Sequence, residues 1–307
     1  MISIANTIIP IFLIILLGWF LRSRKFVSAE ILVPLNRLVY YLAIPAMIFK
    51  ALANASFSAF FNPTLLATTL GPIIIVFFIA LFFGFVFSVK RELMGTFVQS
   101  SFHGNLGYIG FAVSYYLLGE EGLTMASVLS GFIMLLQNFL AVLVLQFFSG
   151  TVDNPRGVWF FIKKIWGNPV ILSAIAGIAF SVLEIPIGTT IDRSLGILSG
   201  MALPLGLLVI GSSISLKLVR AHIGVSFLAG VFKLLLLPGI GLAAYSLFRI
   251  PPEQLVPGVI LLACPTATIT YIMAGEMKGS TSLASSAISM NTLLSGLTFF
   301  FWLGLLT

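Results

Sequence analysis

Ser101-Phe-His-Gly-Asn-Leu-Gly-Tyr-Ile-Gly-Phe111 is out of place in its surroundings. The segments on either side are apolar, yet this stretch holds Gly104, Gly107 and Gly110, the amide Asn105 and the imidazole His103. Glycine weakens a helix, and a buried amide or imidazole needs a partner. A second stretch, Ala263-Cys-Pro-Thr-Ala267, breaks the apolar pattern about 160 residues later. We read the two as helix breaks that face each other and form the working centre.

The chain around them is built for lipid. Of 307 residues, 59% are hydrophobic and 8% charged, with mean hydropathy +1.15. Soluble domains carry roughly 25% charged residues, so this is an all-α integral membrane protein. A helical span needs about 20 apolar residues. Ten such segments fit: 4–21, 31–52, 64–89, 94–118, 123–148, 163–183, 191–214, 222–248, 255–276 and 281–305. Charges or turn residues separate them, among them Arg22-Ser-Arg-Lys25, Asn62-Pro63, Lys90-Arg91-Glu92, Gly119-Glu-Glu-Gly122, Asp153-Asn-Pro-Arg156, Pro251-Pro252 and Lys278-Gly279. The apolar N-terminus lacks a basic leader and a small-residue cleavage site, so it reads as the first span and not a signal peptide. No soluble domain is expected, which places the function within the membrane.

The net charge of +7 sits in short connections. There it sets topology, and no nucleic-acid partner is expected. Loops after odd-numbered spans hold 11 of the 16 cations: Arg22, Arg24, Lys25, Lys90, Arg91, Arg156, Lys163, Lys164, Lys217, Arg220 and Lys278. The opposite loops hold Lys50, Arg193 and Arg249, while Arg37 and Lys233 lie inside spans. Odd-numbered loops are therefore expected in the cytoplasm and both termini outside, in a plasma membrane, the inner one of a bacterium.

A repeat runs through the pattern. Pro10 and Pro169, Gly18 and Gly177, and Pro45 and Pro204 are each 159 apart. Asn105 and Pro265 interrupt spans four and nine at nearly the same offset. Ten spans then divide into two five-helix repeats, 1–150 and 151–307. Five is odd, so the second repeat is inverted across the bilayer. Inverted repeats with broken helices at matching places point to a secondary transporter.

The same residues carry a family resemblance. Asn36-Arg-Leu-Val-Tyr-Tyr-Leu-Ala-Ile-Pro45, Gly104-Asn-Leu-Gly-Tyr-Ile-Gly110, Gln137, Gly167-Asn-Pro169, Ala202-Leu-Pro204 with Gly211, Lys233 to Pro238, and Ala263-Cys-Pro-Thr-Ala267 follow in order along the chain. In these it resembles the auxin efflux carrier family, which includes bacterial malonate-type carriers and plant PIN-like transporters. The resemblance implies an elevator arrangement. Spans 1, 2, 6 and 7 would form a scaffold that dimerises. Spans 3–5 and 8–10 would form a moving transport part, with broken spans 4 and 9 crossing. The family often has a proline after the Asn-x-Gly motif of span four; here Ala112-Val113 follow, so that break rests on glycines.

Chemistry concentrates at the breaks. An interrupted helix leaves backbone groups free, which is tolerable only beside protein or a water-filled cavity. Its freed N-terminal end carries partial positive charge and suits an anion. Candidate substrate-binding residues are Gly104, Asn105, Gly107, Cys264, Pro265 and Thr266 at the breaks. Gln137 and Asn138 in span five and Lys233 in span eight complete the set. Deep lysines are costly and mark function or a contact to freed carbonyls. Asn291 is a weaker candidate, and Thr268 and Thr270 add hydroxyls. His103 reads more simply as a packed residue, and His222 as a solvated one at a loop edge. Trp19, Trp159, Trp166 and Trp302 read as interface anchors.

No Asp or Glu lies deep in a span, which disfavours a carboxylate-built Na⁺ site. Coupling to H⁺ or Na⁺ stays open. Two isolated histidines and one cysteine give no metal-ligand spacing, and no phosphate-binding loop is present. No cofactor, metal or enzymatic activity is expected. The sequence thus points to a carrier of small organic anions, either carboxylates and dicarboxylates or auxin-like acids. A sodium-coupled bile-acid-type symporter and a channel are the rival readings.

Overall fold

The computed structural model describes residues 2–55, 62–149 and 167–306. The Asp153–Arg156 connection, Arg156, Lys163, Lys164, Trp159, Trp166 and the start of the sixth expected span lie outside the described residues. Helices account for the regular structure described, apart from one two-residue bridge.

Helix α1 spans Ile2–Ser23. Helix α2, Ala29–Leu38, widens into a π turn, Val39–Ala43, and continues as α3, Ile44–Ala53. Helix α4, Pro63–Val86, opens on a cap: the Asn62 side chain accepts from the N–H groups of Thr64 and Leu65. Helix α5, Arg91–Phe102, stops abruptly, and the chain resumes with a π turn, Leu106–Gly110, and α6, Phe111–Ser149. Gly119 divides α6 into two limbs at φ 70°, a conformation that side chains with a Cβ avoid.

Helix α7, Pro169–Val182, repeats the opening of α4, with Asn168 capping Val170 and Ile171. Both helices place proline in the first turn, where its missing N–H costs no helical bond. Then follow α8, Thr189–Ser199, α9, Ala202–Ser212, and α10, Leu216–Ala221. Helix α11, Ile223–Val231, passes through a π turn, Phe232–Leu236, into α12, Leu237–Leu247. Helix α13, Pro252–Ala263, is broken from α14, Ile269–Glu276, and α15, Thr281–Gly304, closes the described fold.

Among the described residues, seven helical stretches are long and apolar enough to cross a membrane, and α7 and α13 are shorter apolar helices. Two π turns have a local cause. Each precedes a proline (Pro45 and Pro238), which cannot donate to the carbonyl four residues back and crowds it. At Pro238 that carbonyl is Leu234 O, and the Trp302 indole donates to it at 2.7 Å. Trp302 is therefore a buried, bonded residue, correcting its reading as an interface anchor. Trp19, near the end of α1, is exposed.

Two glycines of the repeat mark close packing. A Cβ on Gly18 of α1 would lie 2.3 Å from the Leu208 carbonyl oxygen of α9. One on Gly177 of α7 would lie 3.1 Å from the Phe49 oxygen of α3. Gly211 of α9 is tighter still, 1.8 Å from Ile15 O.

Candidate functional site

The two sequence anomalies meet. After α5 the chain is extended at His103 (φ −79°, ψ 101°), and after α13 it is extended at Cys264 (φ −55°, ψ 140°). Gly104 and Thr266 pair as an antiparallel bridge. Asn105 N–H donates to Pro265 O at 2.8 Å, and Ala267 N–H donates to His103 O at 2.9 Å. Each break therefore satisfies part of the other's backbone. Pro265 is needed there only as an acceptor, so its missing donor costs no bond.

Side chains satisfy more of what the breaks release. Ending a helix leaves carbonyls without their donor four residues on. Phe102 O accepts from Gln137 Nε2 at 3.0 Å, and Gln137 Oε1 accepts from Gly104 N–H at 3.3 Å. Ser100 O accepts from Thr266 Oγ1 at 2.8 Å, and Thr266 Oγ1 accepts in turn from Asn291 Nδ2 at 2.7 Å. Leu262 O accepts from Lys233 Nζ at 2.6 Å. Lys233 is fully buried, and a Cβ on Gly104 would lie 3.4 Å from its Nζ. Its hydrogen bond goes to a carbonyl freed at the α13 break.

Of the nine candidates, Gly104, Asn105, Gln137, Lys233, Cys264, Pro265 and Thr266 come together here. Cys264 bonds within its own helix, to Ile260 O at 3.2 Å. Asn105 Nδ2 is buried with no hydrogen-bond partner among the described residues. The other two candidates stand apart. Asn138 is half-buried and takes no part in this network. A Cβ on Gly107 would make ordinary contacts at 3.7 Å and beyond, so its small size is not demanded. Gly110 is different, since a Cβ there would stand 3.0 Å from Cys264 Sγ and from Leu261 Cδ2.

Several contributors carried no clear sequence signal. Gln99 Nε2 lies 3.4 Å from His103 Nδ1 and 3.3 Å from Met273 Sδ; its place four residues before His103 was the available hint. Tyr108 Oη donates to Asn36 Oδ1 at 2.6 Å, tying the π turn of the first break to α2. His222 is half-buried and within 3.0 Å of Ser282 Oγ, correcting its reading as a solvated loop residue. Among the described residues no group of three or more His, Cys, Asp and Glu could hold a metal.

This arrangement brings one buried cation and two helix N-terminal ends, those preceding α6 and α14, to one place. Among the described residues no carboxylate pairs with Lys233; the ion pair seen is Lys50–Asp192, 3.3 Å. The site can therefore hold negative charge.

Comparison with known proteins agrees in kind. The profile of the family described as "Membrane transport protein" matches residues 3–153 and 157–303. A Rhizobium meliloti (strain 1021) protein, whose name proposes it as a malonate transporter, is 27% identical over 303 residues, covering 96% of this chain and 93% of that protein. An uncharacterized transporter of Methanocaldococcus jannaschii is 24% identical, covering 97% of each chain. One of Methanothermobacter thermautotrophicus is 25% identical, covering 97% of this chain and 96% of its own length. With the family profile running nearly end to end over an all-helical, apolar fold, the chain belongs to the auxin efflux carrier family of membrane transport proteins.

Proposed function

We propose that the protein is a secondary active carrier of small organic anions, working by elevator-type alternating access. The observation that carries this reading is Lys233: a fully buried cation, without a carboxylate partner among the described residues, beside two facing helix breaks. A buried charge is costly unless compensated, and a carboxylate cargo supplies the compensation. The N-terminal ends at the breaks favour the same sign. Asn105 Nδ2, buried without a partner, is the donor we assign to the cargo. The name of the Rhizobium relative supports a dicarboxylate such as malonate as the first cargo to try.

Burial supports alternating access. Asn105, Cys264, Thr266 and Lys233 are each 4% exposed or less, so cargo enters only when parts of the molecule move. In this reading the chain has ten spans in two inverted repeats. Spans 1, 2, 6 and 7 form a dimerising scaffold, and the rest form the moving part. The paired glycines support it: Gly18 brings span one against span seven, and Gly177 brings span six against span two. An inverted repeat makes those two contacts equivalent.

The test is counterflow of labelled malonate in proteoliposomes, with and without a Na⁺ gradient. Saturable counterflow that Lys233→Ala abolishes is the expected result. Flux without saturation or counterflow would identify a channel. Flux that requires the Na⁺ gradient would favour the sodium-symporter rival. Stabilisation by neutral or cationic compounds alone would overturn the cargo class.

A further inference from the structure

The π turn Leu106–Gly110 is a small closed unit at the first break. It closes on Asn105, whose carbonyl accepts from the N–H groups of Ile109 at 3.3 Å and Gly110 at 3.1 Å. Its last residue abuts the second break: a Cβ on Gly110 would stand 3.0 Å from Cys264 Sγ and from Leu261 Cδ2. Displacing this turn therefore shifts Asn105 and uncovers one side of Cys264.

The turn also meets α2, α3 and α9. Two of these helices are seated closely on neighbours of their own: α9 touches α1 at Gly211, and α3 touches α7 at Gly177, in each case backbone to backbone. The turn meets them through side chains instead. At Gly107 a Cβ would find Ile44 Cδ1 of α3 at an ordinary 3.7 Å. Tyr108 makes the firm contact. Its ring fills a notch at Gly206 of α9, where a Cβ would stand 2.4 Å from Cδ1 and 3.0 Å from Cε1. Its hydroxyl donates to Asn36 Oδ1 of α2 at 2.6 Å. That bond is short, whereas Thr7 Oγ1 of α1 reaches Tyr116 O of α6 at 3.4 Å and Thr124 Oγ1 of α6 reaches Ala51 O of α3 at 3.5 Å.

We propose that Tyr108 is a latch, which holds the first break shut against Asn36 of α2 and Gly206 of α9 and must let go before cargo reaches Asn105. The proposal rests on the reading of the two breaks as the cargo site and deepens it, by assigning what keeps that site closed. In the elevator reading the Tyr108–Asn36 bond ties the moving part to the scaffold. A contact made in one of two states weights that state by its own free energy. Losing the bond therefore raises the population of the open form, while the groups at the breaks themselves stay as they are.

Tyr245 supplies the contrast. It too is buried and set against a glycine, since a Cβ on Gly258 would stand 2.3 Å from its Oη. It too shares a hydrogen bond through its hydroxyl, 2.8 Å to Thr69 Oγ1. Those contacts join α12 to α4 and α13, all of them on the moving side of the elevator reading. Tyr108 and Tyr245 thus make the same kind of bond in two places, and only the first spans the boundary between the moving part and the scaffold.

The latch is tested without cargo. Cys264 is the one cysteine of the chain and is fully buried, so its alkylation reports opening of the site. Full-length protein in lipid nanodiscs is treated with N-ethylmaleimide, and the modified fraction is followed by intact mass. Tyr108→Phe keeps the ring and loses the hydroxyl. It is expected to label about 2- to 12-fold faster than the wild type, the population shift that one hydrogen bond carries. Asn36→Ala repeats the gain, and the double variant labels no faster than the faster single one, because both remove the same bond. Tyr245→Phe is expected to label at the wild-type rate. Tyr108→Phe no faster than the wild type, gains that multiply in the double variant, or an equal gain in Tyr245→Phe overturns the latch. Malonate counterflow in the same preparations is scored separately: its failure in the wild type counts against the cargo reading and leaves the labelling result standing.

Discussion

Gln137 shows what one side chain does when a helix stops inside a membrane. Its amide donates to Phe102 O and accepts from Gly104 N–H. Two backbone groups at the α5 break would otherwise lie buried and unpaired, at about 1–3 kcal/mol each. Gln137→Leu is therefore expected to destabilise the protein by roughly 2–4 kcal/mol, measured as a lower denaturation midpoint in mixed detergent, and to abolish cargo counterflow. A variant with unchanged midpoint would show that the break is held by its backbone bridge alone. Sequence reading picked out Gln137 and Asn138 together because both are amides in an apolar run. Adjacent helical residues point about 100° apart, so one of them meets the break and the other does not. Only the neighbouring helices fix that phase. Gly107 is the same kind of case: its residue type matches Gly104 and Gly110, but what lies across from it does not.

At the scale of the element, proline and glycine explain most departures from regular helix. Pro45 and Pro238 each follow a widened turn, and Gly119 sets the sharp corner in α6. Gly211 lets α9 touch α1 backbone to backbone. Gly211→Ala forces those helices apart and is expected to cost about 1–3 kcal/mol, the usual range for overpacking. Gly71, inside α4, has nothing within 4 Å of where a Cβ would stand. Gly71→Ala should be neutral or stabilise by roughly 0.5–1 kcal/mol. Thermal unfolding of the two variants side by side checks the contrast. The apolar segments and both breaks were legible in sequence because lipid leaves little latitude for polar residues. The π turns were not, since a proline in a helix can equally produce a kink. Span four lacks a proline near its break and still leaves the helix at His103. Pairing with the α13 break does there what a proline would otherwise do.

At the scale of the whole molecule, the 159-residue spacing recurs in contacts as well as in letters. Gly18 and Gly177 each seat a helix against a neighbour from the other half of the chain. In the proposed inverted repeat, parity sets the topology and the cation count sets its direction. Reporters fused to the two termini are expected to give extracytoplasmic signals at both ends; a cytoplasmic C-terminus would undo the inverted arrangement. Composition made the membrane class plain. It could not show that Ser226 of α11 and Ser286 of α15 share a hydrogen bond, because that depends on rotation of both helices about their axes. One consequence of the bridge between the breaks concerns descent. Its two bonds run from peptide to peptide and ask nothing of side-chain identity. The relatives differ from this chain at roughly three positions in four. A joint that is blind to residue type allows the proposed cargo lining at Asn105 and Cys264 to be rewritten while the pairing of the two breaks stays intact.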